Sequence, residues 1–88
     1  MANDEEPDFR LLRCFSALMA ERSVSRAALR LELSQPAVSH ALARLRRLFD
    51  DPLLLKGRDG MTPTARALEL EAGVRALLAA AERLRARP

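Results

Sequence analysis

The 88-residue chain has one cysteine, one histidine, three glycines, no tryptophan and no tyrosine. Each scarcity removes a class of protein. With Cys14 alone, neither an intrachain disulfide framework nor a cysteine-based metal cluster can form. One histidine, one cysteine and scattered carboxylates supply no catalytic triad and no metal-ligand set. Gly57 and Gly60 flank a turn but make no nucleotide-binding fingerprint. The expectation is a protein that is not an enzyme and uses no cofactor and no metal. No apolar run reaches the length of a membrane span, about 20 residues. The acidic start, with Asp4, Glu5, Glu6 and Asp8, is unlike a signal peptide, so the cytoplasm is the expected compartment. The three aromatics are all Phe, which leaves Leu, Ala and Val to build the core and favours helices over a sandwich or barrel. There is no internal repeat and no low-complexity linker.

What the chain does have is basic charge. The net charge is +3 and the isoelectric point about 10.4. Residues 9–60 hold ten Lys/Arg against five Asp/Glu, and Leu33 to Phe49 hold three arginines and no acid. A basic face on a small module suits a polyanionic partner, although an arginine-rich solvated surface has the same composition.

The helix signals are frequent. Asp8 is a candidate N-cap for a helix to about Arg22, whose apolar face is Leu11, Leu12, Phe15, Leu18 and Met19. Cys14 is expected as a small buried side chain on it. Ser25 is read as the cap of a second helix, about Arg26 to Leu31, packing through Ala27, Ala28 and Leu31. Glu32-Leu33-Ser34 forms the turn, with Leu33 plugging the angle between two helices. Ser34 caps the third helix, and Pro36 falls in its first turn, where a missing N–H costs nothing. At about 100° per residue, Val38, Leu42, Leu45 and Phe49 face the core. Pro36, Ser39, His40, Ala43, Arg46 and Arg47 face outward. Asp50-Asp51-Pro52 ends that helix. Leu53 to Lys56, the turn Gly57 to Gly60, and Met61 to Pro63 read as a β-hairpin wing carrying Lys56 and Arg58.

Thr64 caps the last helix, about Ala65 to Ala86. Along it Ala67, Leu70, Val74, Leu77, Ala81 and Leu84 recur at alternating spacings of three and four. Three small helices cannot cover a helix of that length, so the seam is expected to be a dimer interface. Gly73 is a local weakness in it.

A short capped helix, a tight turn and a longer capped helix with an outward arginine face form a helix-turn-helix. Its second helix is shaped to enter the major groove of DNA. The fold class is mainly α: a winged helix-turn-helix of three helices and a β-hairpin wing, followed by a long C-terminal dimerisation helix. Residues 1–7 are expected as a disordered acidic lead, 8–63 as the winged module and 64–88 as the linker helix.

The run Ser34-Gln35-Pro36-Ala37-Val38-Ser39 carries a specific resemblance, together with Ser25-Arg26-Ala27-Ala28 before it and Asp51-Pro52-Leu53-Leu54 after it. It resembles the N-terminal domain of LysR-type bacterial transcriptional regulators, over about Asp8 to Leu84. The resemblance implies that Gln35, Pro36, Ala37, Ser39 and His40 read base edges, with His40 standing where many relatives have Arg. Ser25 and Arg26 match positions near the DNA backbone. Ser34, Arg46 and Arg47 complete that backbone set, and Lys56 and Arg58 lie in a wing that enters an adjacent minor groove. The implied partner is double-stranded DNA with an inverted-repeat site, bound by a homodimer in the bacterial nucleoid. The family's effector-binding domain is expected to be absent from this chain, and with it any small-molecule effector. The competing reading is a coiled-coil module that forms mixed dimers with full-length regulators.

Overall fold

Four helices and one hairpin follow in the order α1 (Phe9–Glu21), α2 (Val24–Leu31), α3 (Gln35–Phe49), β1 (Leu54–Gly57), β2 (Gly60–Pro63) and α4 (Ala65–Ala86). The computed structural model describes residues 6–86. The expected acidic lead at 1–5 and the last two residues of the expected linker helix lie outside the described residues.

Local hydrogen bonds set the helix starts. The Asp8 carboxylate accepts from the Leu11 amide at 2.7 Å and opens α1. The Ser34 hydroxyl accepts from the Ala37 amide at 3.1 Å and opens α3, with Pro36 in its first turn. The Thr64 hydroxyl accepts from the Ala67 amide at 3.1 Å and opens α4. Each cap satisfies an amide that has no partner inside its helix.

The second helix departs from expectation. Its cap is Ser23, whose hydroxyl accepts from the Arg26 amide at 3.2 Å, and Ser25 lies inside the first turn. Both serines satisfy the cap preference, so local chemistry does not separate them. The break between the helices does. Arg22 ends α1 in the left-handed region (φ 56°), which leaves Ser23 extended and sends Val24 directly into α2. That register places Ala27 and Ala28 in the core.

Leu33 also departs. It is 37% exposed and lines the open groove between α1 and α3 without joining the core. Glu32 turns left-handed (φ 58°), and the Leu33 amide donates to the Ala28 carbonyl at 2.9 Å, closing the end of α2. Leu31 packs against the core instead.

The core centres on Phe15, Leu18, Val38, Leu45, Leu53 and Leu54, all fully buried. Each such side chain contributes about 1.5–3 kcal/mol by apolar transfer. Phe49 is half-buried at the margin, with its ring centroid 6.5 Å from that of Phe15.

The wing is one antiparallel hairpin, shifted one residue from the expected strands. Gly57 pairs with Gly60, so Arg58 and Asp59 alone form the turn. Gly60 takes φ 112°, and a Cβ there would lie 3.0 Å from the Arg22 carbonyl oxygen. That same carbonyl accepts from the Met61 amide at 3.0 Å, docking the wing on the α1–α2 junction. Leu53 does not join β1. It sits buried at φ 64°, unusual for a branched side chain. Asp51 holds it there: its Oδ2 accepts from the Leu53 amide at 2.8 Å and from the Thr64 hydroxyl at 2.7 Å.

Candidate nucleic-acid interface

The start of α3 presents a row of side chains to solvent. Gln35, Pro36, Ala37, Ser39 and His40 are all exposed, and only Val38 among them turns inward and is buried. The cause is helical geometry: Val38, Leu42 and Leu45 anchor one face in the core, which turns the other face out. The outer row is small and rich in hydrogen-bonding groups, so a flat or grooved surface can approach it closely. The first turn holds no acidic residue.

Ser25 and Arg26 lie exposed in the first turn of α2. Arg26 is oriented by Glu21: its Nη2 donates to the Glu21 carbonyl at 2.9 Å, and its Nε lies 3.6 Å from the Glu21 carboxylate. Arg30 donates to the other carboxylate oxygen at 3.2 Å. Sequence reasoning missed Glu21 as the organiser of this pair. The three residues sit on two helices across a break, where no regular spacing marks them. Ser34, the cap of α3, is exposed, Arg47 is exposed further along α3, and Lys56 and Arg58 are exposed on the wing.

Arg46 belongs elsewhere. Its Nε donates to the Pro52 carbonyl at 2.8 Å and its Nη2 to the Leu54 carbonyl at 2.6 Å. The guanidinium ties α3 to the base of the wing, so the outward backbone contact expected of Arg46 is replaced by an internal one. The loop curls back beneath the helix end, and its carbonyls meet a side chain that otherwise would project into solvent.

The seam on α4 divides. Ala67 and Val74 are buried by their own chain, and Leu70 packs against the same core. The reason is that α1 lies against α4. Ala67 and Val74 are therefore core residues and not free interface positions. Beyond them Leu77 is 47% exposed and Leu84 79%, with Ala81 half-buried. Phe9, Leu77, Leu78 and Leu84 border an apolar groove of about 300 Å³.

Cys14 is buried on α1, and burial pushes its thiol above the ordinary value against the opposing pull of Arg10 and Arg13. A thiol held neutral acts as a small apolar side chain. Among the described residues, no three of His, Cys, Asp or Glu cluster closely enough to hold a metal ion. No described helix is long and apolar enough to cross a membrane.

Residues 9–68 match the model of the bacterial regulatory helix-turn-helix proteins of the lysR family. The chain belongs to that family. The LysR match covers α1, α2, α3, the wing and the first turn of α4. Among curated LysR-family relatives, the HTH-type transcriptional regulator LinR of Sphingobium indicum is 50% identical over 76 residues, which are 86% of this chain and 25% of LinR. The fold is likewise that of LysR winged-helix domains. The crystal structure of the probable transcriptional regulator PA0477 from Pseudomonas aeruginosa superimposes with a TM-score of 0.83 at 45% identity, covering 88% of this chain and 26% of that one. The DNA-binding domain of CbnR, solved in complex with DNA, superimposes with a TM-score of 0.81 at 28% identity, covering 88% of each chain. This chain thus spans about a quarter of the length of LinR. LinR is named as a transcriptional regulator and PA0477 as a probable one.

Proposed function

We propose that this chain is the DNA-binding module of a bacterial transcription regulator and binds duplex DNA sequence-specifically as a homodimer. The observation that carries the reading is the exposed row Gln35–His40 on a helix whose opposite face is locked in the core. In the major groove, Gln35 pairs with an adenine edge through its amide donor and acceptor. Pro36 and Ala37 meet thymine methyl groups, while Ser39 and His40 reach bases or phosphate. Ser25, Arg26, Ser34 and Arg47 meet the backbone, and Lys56 and Arg58 on the wing reach an adjacent minor groove. Pairing of two chains through Leu77, Ala81 and Leu84 places two α3 helices on successive half-sites, which suits an inverted repeat. The solved complex of the CbnR domain with DNA supports this assignment.

The test is Gln35→Ala, titrated on a duplex selected from a random library and on unselected duplex. The expected loss is about 1–3 kcal/mol on the selected site, with preference relaxed at one base pair per half-site. Affinity for unselected duplex stays unchanged, because Gln35 carries no charge. Equal losses on both duplexes would remove Gln35 from sequence readout. If the dimer neutralises roughly eight phosphates, log affinity falls against log salt with a slope of about −7.

A further inference from the structure

A groove of about 650 Å³ runs between the amino-terminal half of α1 and one flank of α3. Arg10 and Arg13 line it from α1, and Pro36, His40 and Arg44 line it from α3. Its one carboxylate, Asp8, is engaged as the α1 cap, its Oδ1 accepting from the Leu11 amide. The other charges of the lining are three guanidinium groups, set with His40 over an apolar floor that includes Leu11, Leu31 and Leu33. Arg10, Arg13 and His40 are all exposed.

The position of the groove on α3 gives it a meaning. Residues two apart on a helix point about 200° apart. Arg46 reaches the wing carbonyls on one flank of α3, and Arg44 lines the groove on the other. Pro36 and His40 belong both to the groove lining and to the exposed row. The groove thus opens directly onto the surface assigned above to base edges. A helix lying in a major groove about 12 Å wide has a phosphodiester backbone on each side. On one side stands the wing, with Lys56 and Arg58. On the other stand Arg10 and Arg13, which no sequence motif marked.

We infer that the groove between α1 and α3 is a second backbone-binding surface, which seats the phosphodiester strand on the side of α3 opposite the wing. Arg10 and Arg13 are the guanidinium groups that meet its phosphates. This rests on the DNA-binding reading, and it extends the interface onto α1, outside the helix-turn-helix proper. Contacts of this kind position the protein and carry no base preference.

The experiment titrates the wild-type chain and the double variants Arg10→Gln/Arg13→Gln and Arg10→Lys/Arg13→Lys on selected and unselected duplex, across a salt series. Both positions are exposed, so circular dichroism melts of all three proteins should coincide. With Gln, affinity should fall tenfold or more on both duplexes by the same factor, and the salt slope should shrink by about 3.6, because a homodimer loses four phosphate contacts. With Lys, the slope should return to the wild-type value. A Gln variant that keeps the wild-type slope and affinity, while the wild-type chain binds DNA, overturns the groove alone. A loss confined to the selected duplex overturns it too, because phosphate contacts do not discriminate sequence. A wild-type chain that binds no duplex removes the DNA-binding reading itself.

Discussion

Arg46 and Leu54 are joined by a hydrogen bond of 2.6 Å, from the guanidinium Nη2 to the backbone carbonyl. The bond links the last turn of α3 to the first residue of the wing. With the Nε bond to Pro52 at 2.8 Å, one side chain holds a carbonyl of the loop after α3 and the carbonyl of the first residue of β1. Arg46→Ala should therefore lower stability by about 1.5–3 kcal/mol, the usual range for bonds to a charged group. Arg46→Lys should recover little of it, because an ammonium lacks the planar fork that meets two acceptors at once. Thermal unfolding of the three proteins checks this; full rescue by Lys would mean that charge alone matters.

Gly73 stands in mid-helix on α4, and a Cβ built there meets nothing within 4 Å. Gly73→Ala should raise stability by about 0.5–1 kcal/mol, through helix propensity alone. The measurement is denaturant unfolding, read as a higher midpoint at unchanged slope. A destabilised variant would show that the position is occupied in the assembled protein.

Leu77 is half-exposed on α4, in the apolar groove beside Phe9. In the proposed homodimer, Leu77→Lys removes an apolar side chain from each half of the two-fold interface and brings an ammonium toward its centre. Sedimentation should shift from dimer to monomer, while circular dichroism keeps the wild-type melt of the winged module. Specific DNA affinity should fall much further than stability, because a monomer loses the tethered second half-site. A variant that stays dimeric would place the interface elsewhere.

Cys14 has its thiol pushed upward by burial. In the folded chain the neutral form is favoured more than in the unfolded one. The stability this contributes is fully present below the unfolded value, about pH 8.5, and is lost as pH rises from there through the folded value. Wild type should lose stability on that alkaline limb relative to Cys14→Ala, once each is referenced to its own stability at pH 7. At pH 7–8 the thiol should react with an aromatic disulfide reagent more slowly than in the urea-unfolded chain. Equal rates would mean that Cys14 is not shielded.

The readings that survived contact with the structure share one property: their causes are local. Asp8, Ser34 and Thr64 each cap a helix through an amide three residues on, so the sequence around them contains both partners. The outward row Gln35–His40 follows from Val38, Leu42 and Leu45 on the same helix, and periodicity reports it directly. The order of helices, turn and wing was legible for the same reason, as was the motif that places the chain in its family.

Tertiary structure decided the rest, wherever the answer depended on what lies beside a residue in space. Ser23 and Ser25 are equally good caps, and the left-handed Arg22 between the two helices chose Ser23. Leu53 adopts a left-handed backbone because Asp51 and Thr64, thirteen residues apart, close on each other around it. Arg46 looks outward on a helical wheel, yet the returning loop offers it two carbonyls. Ala67 and Val74 continue the apolar repeat of Leu77 and Leu84, but the chain's own core buries the first two, while the others border an open groove beside Phe9 at the start of α1. Periodicity reports which face of a helix is apolar, whereas its occupant is set by contacts between segments distant in the chain.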